Sequence, residues 1–376
     1  MNLNPLLFIL FYSTICFSCK KETPSIETKT EYKEYLLDEI DAQNIPALAS
    51  LIFAEDKILH EEYLGKSNID QGISLESNHV FLLASISKVI TATALLQLHE
   101  DGLFALDDKI NDYLDFNVSV PNYTQNITFR MLLTHTSGIA DGDELDNHYY
   151  ENMDSPISLK TYLKNYLTPQ GSYYNASQNF HDFEPGSVSE YSNTGNALIG
   201  LLVEEISGMG FNQYCKQKIF LPLEMNNTYW KLDEINGTIV QPYNFSGGNY
   251  TALEHYTNTD YPNGGLRSSA QDLFKLLSTF CLKGKYNNFE LLSAETIDKM
   301  TSLQIPELSN DMGLHLFILN AENDLWGHDG GEKGVATIMA YNKTTKVGAI
   351  ILTNQGEADL DEILEISYKF GLKLNE

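Results

Sequence analysis

The chain has 376 residues, of which 43% are hydrophobic and 11% aromatic, so it can bury one large or two medium cores. This composition excludes a disordered or collagen-like chain. Acidic residues outnumber basic ones by 51 to 24, which gives a formal net charge of −27. A field of that sign repels phosphate backbones, so we expect no nucleic-acid partner.

The N-terminal residues 1–18 carry no charged side chain and contain an apolar run of about fourteen residues. A membrane-spanning helix needs roughly 20 residues, so this segment is predicted to be a secretion signal. It ends in Ser18-Cys19-Lys20, which resembles a bacterial lipoprotein signal in which Cys19 carries the lipid. An ordinary cleaved signal is the alternative. Either way we expect an exported protein of the cell envelope, facing the periplasm or the exterior, and the lipoprotein interpretation adds a membrane anchor.

The chain beyond the signal is predicted to begin with a polar tether over 19–30, followed by one domain over 31–376. The hydrophobic patterns predict the following elements: a helix over 32–42, a hairpin from 46–54 and 58–64, a buried helix over 86–98, a hairpin from 335–341 and 347–353, and a helix over 360–372.

Strands at both ends with helices between them predict a mixed α/β (α+β) fold. One antiparallel sheet is built from the two termini and flanked by helices. Its α/β part is expected over about 31–84 and 264–376, with an inserted, mainly helical lobe over about 85–263.

Two cysteines, Cys215 and Cys281, remain beyond the signal, and the sequence leaves open whether they pair. The chain has no C-x-x-C or H-E-x-x-H motif, and its histidines are scattered. No metal site is therefore predicted.

Ser85 and Lys88 form an S-x-x-K pattern at the start of the predicted buried helix. Residues three apart share a helix face, so the Lys88 amine can lie beside the Ser85 hydroxyl. A buried lysine with a lowered pKa can take the proton of a serine and make it a nucleophile. The alternative role for Ser85 is a helix cap.

Tyr191 and Asn193 form a Y-x-N pattern before the apolar stretch 197–206. A phenol can relay a proton and an amide can bind a peptide-like group, although a lone Y-x-N is also typical of a surface turn. The third motif is Gly327-His328-Asp329-Gly330-Gly331. Its glycines allow a ligand to approach the backbone, and a hairpin turn is the alternative.

Together and in this order, the motifs resemble the S-x-x-K, Y-x-N and H-x-G elements of the serine β-lactamase and penicillin-binding-protein superfamily. They are similar to the branch that holds class C β-lactamases, DD-peptidases, D-aminopeptidases and related esterases. The resemblance covers about residues 32–372, and the segments 127–138, 222–225 and 264–269 share it. We interpret His135 and Arg267, within those segments, as structural.

The resemblance implies an acyl-enzyme mechanism that needs no metal or organic cofactor. Ser85 would attack a carbonyl carbon, while Lys88 and Tyr191 would share the roles of base and proton relay. Which of these two takes the serine proton stays open.

The same resemblance implies the residues that bind substrate. Asn193 would hold the substrate's amide, and His328 would line the cleft. The backbone N–H groups of Ser85 and of Gly331, which follows Gly330, would bind the oxyanion.

The substrate is expected to be a D-amino-acid peptide, a peptidoglycan-type peptide, an ester or a β-lactam. His328 stands where a β-lactamase of this branch usually has Lys, and Asp329 adds a negative charge. We therefore expect neutral or amine-bearing substrates to be preferred over carboxylated ones. A protein of the same fold that binds without catalysis is the alternative. An α/β-hydrolase is disfavoured, because no G-x-S-x-G motif occurs.

Overall fold

The computed structural model describes residues 24–376, so the predicted signal and Cys19 lie outside the described part of the chain. The described helices are α1 (Lys29–Gln43), α2 (Ser87–Glu100), α3 (Phe129–Leu133), α4 (Leu159–Leu167), α5 (Asn193–Ser207), α6 (Phe211–Cys215), α7 (Ala270–Cys281), α8 (Ala294–Met300) and α9 (Asp361–Leu374). None of them is long and apolar enough to cross a bilayer.

The described strands are β1 (Ala47–Ala54), β2 (Lys57–Asn68), β3 (Ile73–Ser74), β4 (Phe81–Leu82), β5 (Tyr149–Glu151), β6 (Tyr243–Ser246), β7 (Asn249–Ala252), β8 (Tyr256–Asn258), β9 (Arg267–Ser268), β10 (Lys285–Tyr286), β11 (Phe289–Glu290), β12 (Phe317–Asn320), β13 (Leu325–Glu332), β14 (Val335–Asn342) and β15 (Val347–Thr353). Seven of them form one sheet in the order β12-β13-β14-β15-β1-β2-β3.

The two ends of the domain meet in this sheet, where β1 pairs antiparallel with β15 and Leu48 lies opposite Thr353. All eight residues of β1 are buried, because helices cover both faces. Leu51 and Phe53 pack into the core that contains α2 and α7, whereas Leu48 and Ile52 pack with α1 and α9. The predicted fold class, an antiparallel sheet from both termini flanked by helices, is confirmed.

The helices between the sheet's two halves position the candidate site. α2 is buried on nearly all faces and packs against α5, so the N-terminal ends of both helices are fixed by one apolar core. Cys215 and Cys281 are both buried and free.

Two details differ from the sequence-based expectations. The tether predicted over 19–30 is too long, because Ile26 is buried and α1 begins at Lys29 with Thr28 and Glu31 in a capping box. In addition, the segment from Gly327 to Gly331 lies within β13 and does not form the hairpin turn that was its alternative. Cross-strand pairing with β14 is possible there because glycine adopts extended backbone as well as turns.

Candidate active site

Ser85 lies in a short 3₁₀ turn, Ala84–Ile86, that leads directly into α2. Ala84 has a φ of 49°, in the left-handed region that residues with a side chain rarely adopt. Such strain is sustained only where the surroundings hold the backbone in place. The turn therefore fixes the half-buried Ser85 at the end of the buried helix.

Lys88, one turn further along, is fully buried, and its amine has three partners. Nζ lies 3.1 Å from Ser85 Oγ, 2.8 Å from Asn193 Oδ1 and 2.7 Å from the carbonyl oxygen of Asn263. Burial lowers the pKa of Lys88 to about 7, although the Asp141 carboxylate acts in the opposite direction.

This arrangement leaves one direction for proton exchange. An ammonium group has three N–H donors, and in Lys88 two of them are taken by the oxygens of Asn193 and Asn263. In the neutral amine those two bonds persist, so the lone pair faces Ser85 Oγ. The Lys88 amine is thus placed to accept the proton of Ser85.

Tyr191 lies beside this pair, with its ring centroid 4.9 Å from Lys88 Nζ. The residue is 43% exposed, but the protein around the phenol still raises its pKa above the ordinary value. The adjacent Ser85 hydroxyl acts in the opposite direction. The phenol therefore keeps its proton at neutral pH.

The turn that carries Tyr191 and Asn193 is held by hydrogen bonds to its backbone. Asp141 accepts from the N–H groups of Asn193 (2.8 Å) and Thr194 (2.9 Å), and His135 Nδ1 accepts from the N–H of Ser192 (3.2 Å). Because a carboxylate is favourable at a helix N-terminus, Asp141 fixes the start of α5. The Asn193 side chain is thereby directed to Lys88.

β13 closes the cleft on the opposite side. A Cβ at Gly330 would clash with the Leu83 carbonyl, so only glycine permits β13 to pack against the turn that holds Ser85. The Thr337 hydroxyl, from β14, donates to the same Leu83 carbonyl over 2.8 Å. A side chain at Gly331 would meet open space, and its backbone borders the cleft together with Ser85.

His328 lies in β13 and is buried, and burial lowers its pKa to about 4. Its ring is therefore neutral at pH 7. Nδ1 lies 2.5 Å from the carbonyl oxygen of Asp329, which assigns the ring proton to Nδ1. The Asp329 side chain, in contrast, is 69% exposed.

Two further histidines pack behind Tyr191, and sequence reasoning gave neither a place in the site. The His135 ring lies 4.4 Å from the Tyr191 ring and 4.7 Å from the His315 ring, centroid to centroid. Burial lowers the pKa of both imidazoles well below the ordinary value. They do not form a metal site, because no group of three or more suitable ligands occurs in residues 24–376.

Asn263 and Asp260 are the other residues that the sequence did not reveal. Asn263 precedes the Gly264-Gly265 pair of a segment singled out by its resemblance, but a backbone carbonyl leaves no signature in a sequence. Asp260 is 4% exposed, and burial raises its pKa to about 7. Both lie in the turn that follows β8.

Two cavities adjoin the cleft and share Ser85, Tyr191 and Gly331. The larger, of about 540 Å³, has a mixed lining of four apolar side chains, three carboxylates and one imidazole: Phe317, Ile318, Leu319, Ile338, Asp311, Asp329, Asp361 and His328. The smaller, of about 190 Å³, is lined mainly by polar side chains that include Tyr149, Asn258, Asp260 and Glu332. The structure thus brings together all the predicted site residues from 85 to 331.

Comparison with known proteins gives a consistent picture. Penicillin-binding protein 4* of Bacillus subtilis is 27% identical over 331 residues, which cover 80% of this chain and 66% of that protein. Beta-lactamase-like protein 4 of Dictyostelium discoideum is 25% identical, over 94% of this chain and 67% of its own length. The chain therefore spans about two thirds of the length of these two relatives, and 45% of penicillin-binding protein 4 of Amycolatopsis lactamdurans.

Among solved structures, a penicillin-binding protein from Bacillus halodurans superposes with a TM-score of 0.71 at 24% identity, over 88% of this chain and 98% of that chain. EstCE1, a hydrolase with promiscuous acyltransferase activity, gives a TM-score of 0.73 at 17% identity, over 91% and 98%. These similarities show the fold. A family model described as Beta-lactamase matches residues 34–368, which confirms the resemblance to the serine β-lactamase and penicillin-binding-protein superfamily, and the branch within it stays a prediction. The chain belongs to the Beta-lactamase family.

Proposed function

We propose that this protein is a serine hydrolase that forms an acyl-enzyme on Ser85 from an amide or an ester. The observation that carries the proposal is the environment of Lys88. Two of its three hydrogen-bonding directions end on fixed oxygens of Asn193 and Asn263, and the third ends on Ser85 Oγ. A buried amine with a pKa of about 7 in that position activates a serine at neutral pH.

The proposed reaction begins when Ser85 Oγ attacks the substrate's carbonyl carbon and its proton passes to Lys88 Nζ. The carbonyl oxygen gains the negative charge and is bound by the N–H groups of Ser85 and Gly331. The C–N or C–O bond then breaks, and the leaving group takes a proton from the site. Water attacks the resulting ester by the same route and releases the acid.

We assign the base to Lys88 and the proton relay to Tyr191. The pKa of Lys88, about 7, leaves a large neutral fraction at pH 7. The pKa of Tyr191 is raised, so the phenol is a proton donor there and a poor base. The phenol adjoins the Ser85 hydroxyl, so in the proposed relay it gives its own proton to the leaving group and receives the proton that Lys88 took from Ser85.

For the substrate we propose amides and esters without a carboxylate near the scissile bond. D-amino-acid peptides, peptidoglycan-type peptides, esters and β-lactams are the classes to screen, and within each class we expect the members without that carboxylate to react faster. His328 is neutral at pH 7, since its pKa is about 4, so it offers no cation to a carboxylate. Asp329, 69% exposed at the larger cavity, repels one. The variant Asp329→Thr should raise kcat/KM for a carboxylated substrate relative to its neutral amide, and an unchanged ratio removes Asp329 from the account.

We also propose that the protein is exported and anchored by a lipid on Cys19. Support comes from the uncharged residues 1–18 and the Ser18-Cys19-Lys20 sequence. The full chain expressed in a bacterial host should take up labelled fatty acid, and Cys19→Ser should not. Equal labelling of both chains, or of neither, contradicts the anchor.

The hydrolase is tested by covalent labelling with a fluorophosphonate probe, using the wild type beside Ser85→Ala. Labelling of the wild type alone is the expected result. Labelling of neither folded protein favours the non-catalytic binding protein of the same fold. Labelling of both means that another serine is the activated one.

A further inference from the structure

Three buried imidazole rings lie near one another behind the cleft. His135 follows α3, His315 precedes β12 and His328 lies in β13, and each is at most 2% exposed. The His135 and His315 rings are 4.7 Å apart, centroid to centroid. The Phe317 ring lies 6.3 Å from that of His135 and 5.1 Å from that of His328. We call these three histidines the imidazole cluster.

Four ring nitrogens of the imidazole cluster have no hydrogen-bond partner among residues 24–376. They are Nε2 of His135, Nε2 of His328 and both nitrogens of His315. A buried polar atom without a partner costs free energy, and native proteins retain few of them. Four such atoms in one cluster therefore indicate a small polar ligand between the rings.

His315 occupies its position at a further cost. Its φ is 53°, in the left-handed region that favours glycine, and its N–H donates to the carbonyl oxygen of Leu133 over 3.2 Å. Glycine would relieve the backbone strain, and an apolar side chain would remove the unpaired nitrogens. A strained residue that carries a buried polar ring indicates that the ring itself has a role.

The positions of the ring protons identify the ligand. His135 Nδ1 accepts from the Ser192 N–H, so the proton of this neutral ring is on Nε2. His328 donates its Nδ1 proton to the carbonyl oxygen of Asp329, so its Nε2 has a free lone pair. The cluster thus offers a donor on His135, an acceptor on His328 and one nitrogen of His315. A buried water molecule makes about three hydrogen bonds and has both donors and acceptors, so it matches this set.

A metal ion does not match the same set. It would need a lone pair from each ring, and the lone pair of the neutral His135 ring is taken by the Ser192 N–H. No group of three side chains suited to a metal occurs in residues 24–376.

We propose that the imidazole cluster binds one internal water molecule, which accepts from His135 Nε2–H, donates to His328 Nε2 and has His315 as its third ligand. This water joins the turn that carries Tyr191 to β13, the opposite wall of the cleft. His315 is then a positioning residue, because it acts on Tyr191 through His135 and does not touch the substrate. The positioning role rests on the proposed hydrolase, whereas the water site does not.

A crystal structure of the protein at about 1.2 Å resolution tests the water site. We expect one water oxygen within about 3.2 Å of His135 Nε2, His328 Nε2 and a nitrogen of His315. The spectrum of ¹⁵N-histidine-labelled protein should show the Nε2–H tautomer for His135 and the Nδ1–H tautomer for His328. A metal ion at this place, direct hydrogen bonds between the rings without a water, or the opposite tautomer at either ring overturns the proposal.

Variants of His315 test the positioning role. His315→Phe keeps an aromatic ring against His135 but removes the ligand of the water. We expect kcat for an ester to fall about threefold with little change in KM, at a melting temperature no lower than that of the wild type. His315→Asn and His315→Gln place a polar atom near Nδ1 and Nε2 respectively, and one of them should retain most of kcat.

His60→Phe is the matched control. His60 lies in β2 and packs against Tyr32 and Phe370, away from the imidazole cluster, so this variant should leave kcat unchanged. A role of His315 in packing alone would leave kcat unchanged in His315→Phe as well, and that result overturns the positioning role.

The two experiments separate failure of this inference from failure of the hydrolase. A protein that neither labels at Ser85 nor turns over any ester contradicts the proposed function, and the crystal structure still decides on the water. An active protein without the water, or with full kcat in His315→Phe, contradicts this inference alone.

Discussion

The two cavities that adjoin Ser85 share their candidate reactive residues and differ in size and in the elements that form them. The larger is formed by the edge strand β12, with Phe317, Ile318 and Leu319, and is about 540 Å³. The smaller is formed by β8, the turn after it and the end of β13. Its volume is about 190 Å³, and the carboxylates of Asp260 and Glu332 are part of its lining. The three motifs contribute the residues that both cavities share, and segments outside them contribute most of the side chains that distinguish one cavity from the other.

The largest expected effect comes from the proposed nucleophile, which borders both cavities. Ser85→Ala should lower kcat/KM by at least about 10³-fold for every substrate, whichever cavity it fills, because the acyl-enzyme cannot form. Steady-state rates with one ester and one anilide check this. A variant that loses one substrate and keeps the other shows that the two cavities serve different nucleophiles.

The pH dependence should be set by Lys88 for substrates of both cavities. Its pKa is lowered to about 7, so the neutral base predominates above pH 7 and the ammonium form below it. We therefore expect kcat/KM to fall towards acid pH, to about 100-fold below its plateau at pH 5. Measurement of kcat/KM for a neutral ester from pH 5 to 9 gives the profile.

Asp260, whose pKa is also about 7, is the group that could mimic this profile. The Asp260 carboxylate raises the pKa of Lys88. Asp260→Asn should therefore lower that pKa and move the acidic limb of the profile, the fall in kcat/KM below pH 7, to lower pH. If the limb disappears in this variant, the titrating group is Asp260, and the assignment of the base to Lys88 is wrong.

A smaller effect is expected from substitution of His135, which packs behind Tyr191. Its ring accepts a hydrogen bond from the backbone of the turn that carries Tyr191 and Asn193. His135→Leu removes the acceptor of the Ser192 N–H and should lower kcat by about tenfold with little change in KM. His135→Asn places an oxygen near the position of Nδ1, and Asn tolerates the φ of 54° found here. It should retain kcat within about threefold. Equal losses in both variants, at matched thermal stability, contradict a positioning role.

The smallest effect should be confined to the larger cavity. Ile318→Ala removes apolar surface there and should cost about 1 kcal/mol, or roughly fivefold in kcat/KM, for an ester with an aromatic leaving group. The corresponding methyl ester should be unaffected. Comparison of the two substrates in wild type and variant measures the difference, and an equal loss for both means that the leaving group does not enter this cavity.

The sequence predicted the sheet from its hydrophobic patterns, and it predicted the candidate site residues from the resemblance of three motifs, taken together, to a known family. Strands such as β1 and β15 have continuous apolar runs, and Ser85 and Lys88 are close because three residues make nearly one helical turn. The approach of Asn263, Asp260 and His315 to the site depends on tertiary packing of turns. A backbone carbonyl, a buried carboxylate and an isolated histidine have no periodic pattern, so no sequence signal placed them there.

The formation of an acyl-enzyme on Ser85 is the central claim, and the covalent intermediate tests it most directly. The wild-type protein would be mixed with p-nitrophenyl acetate, quenched in acid during the first turnover, digested and examined by mass spectrometry. We predict one acetyl group on the peptide that contains Ser85, together with a burst of one equivalent of p-nitrophenol. Sustained turnover with the acetyl group on another residue, or with no covalent species, would contradict the account.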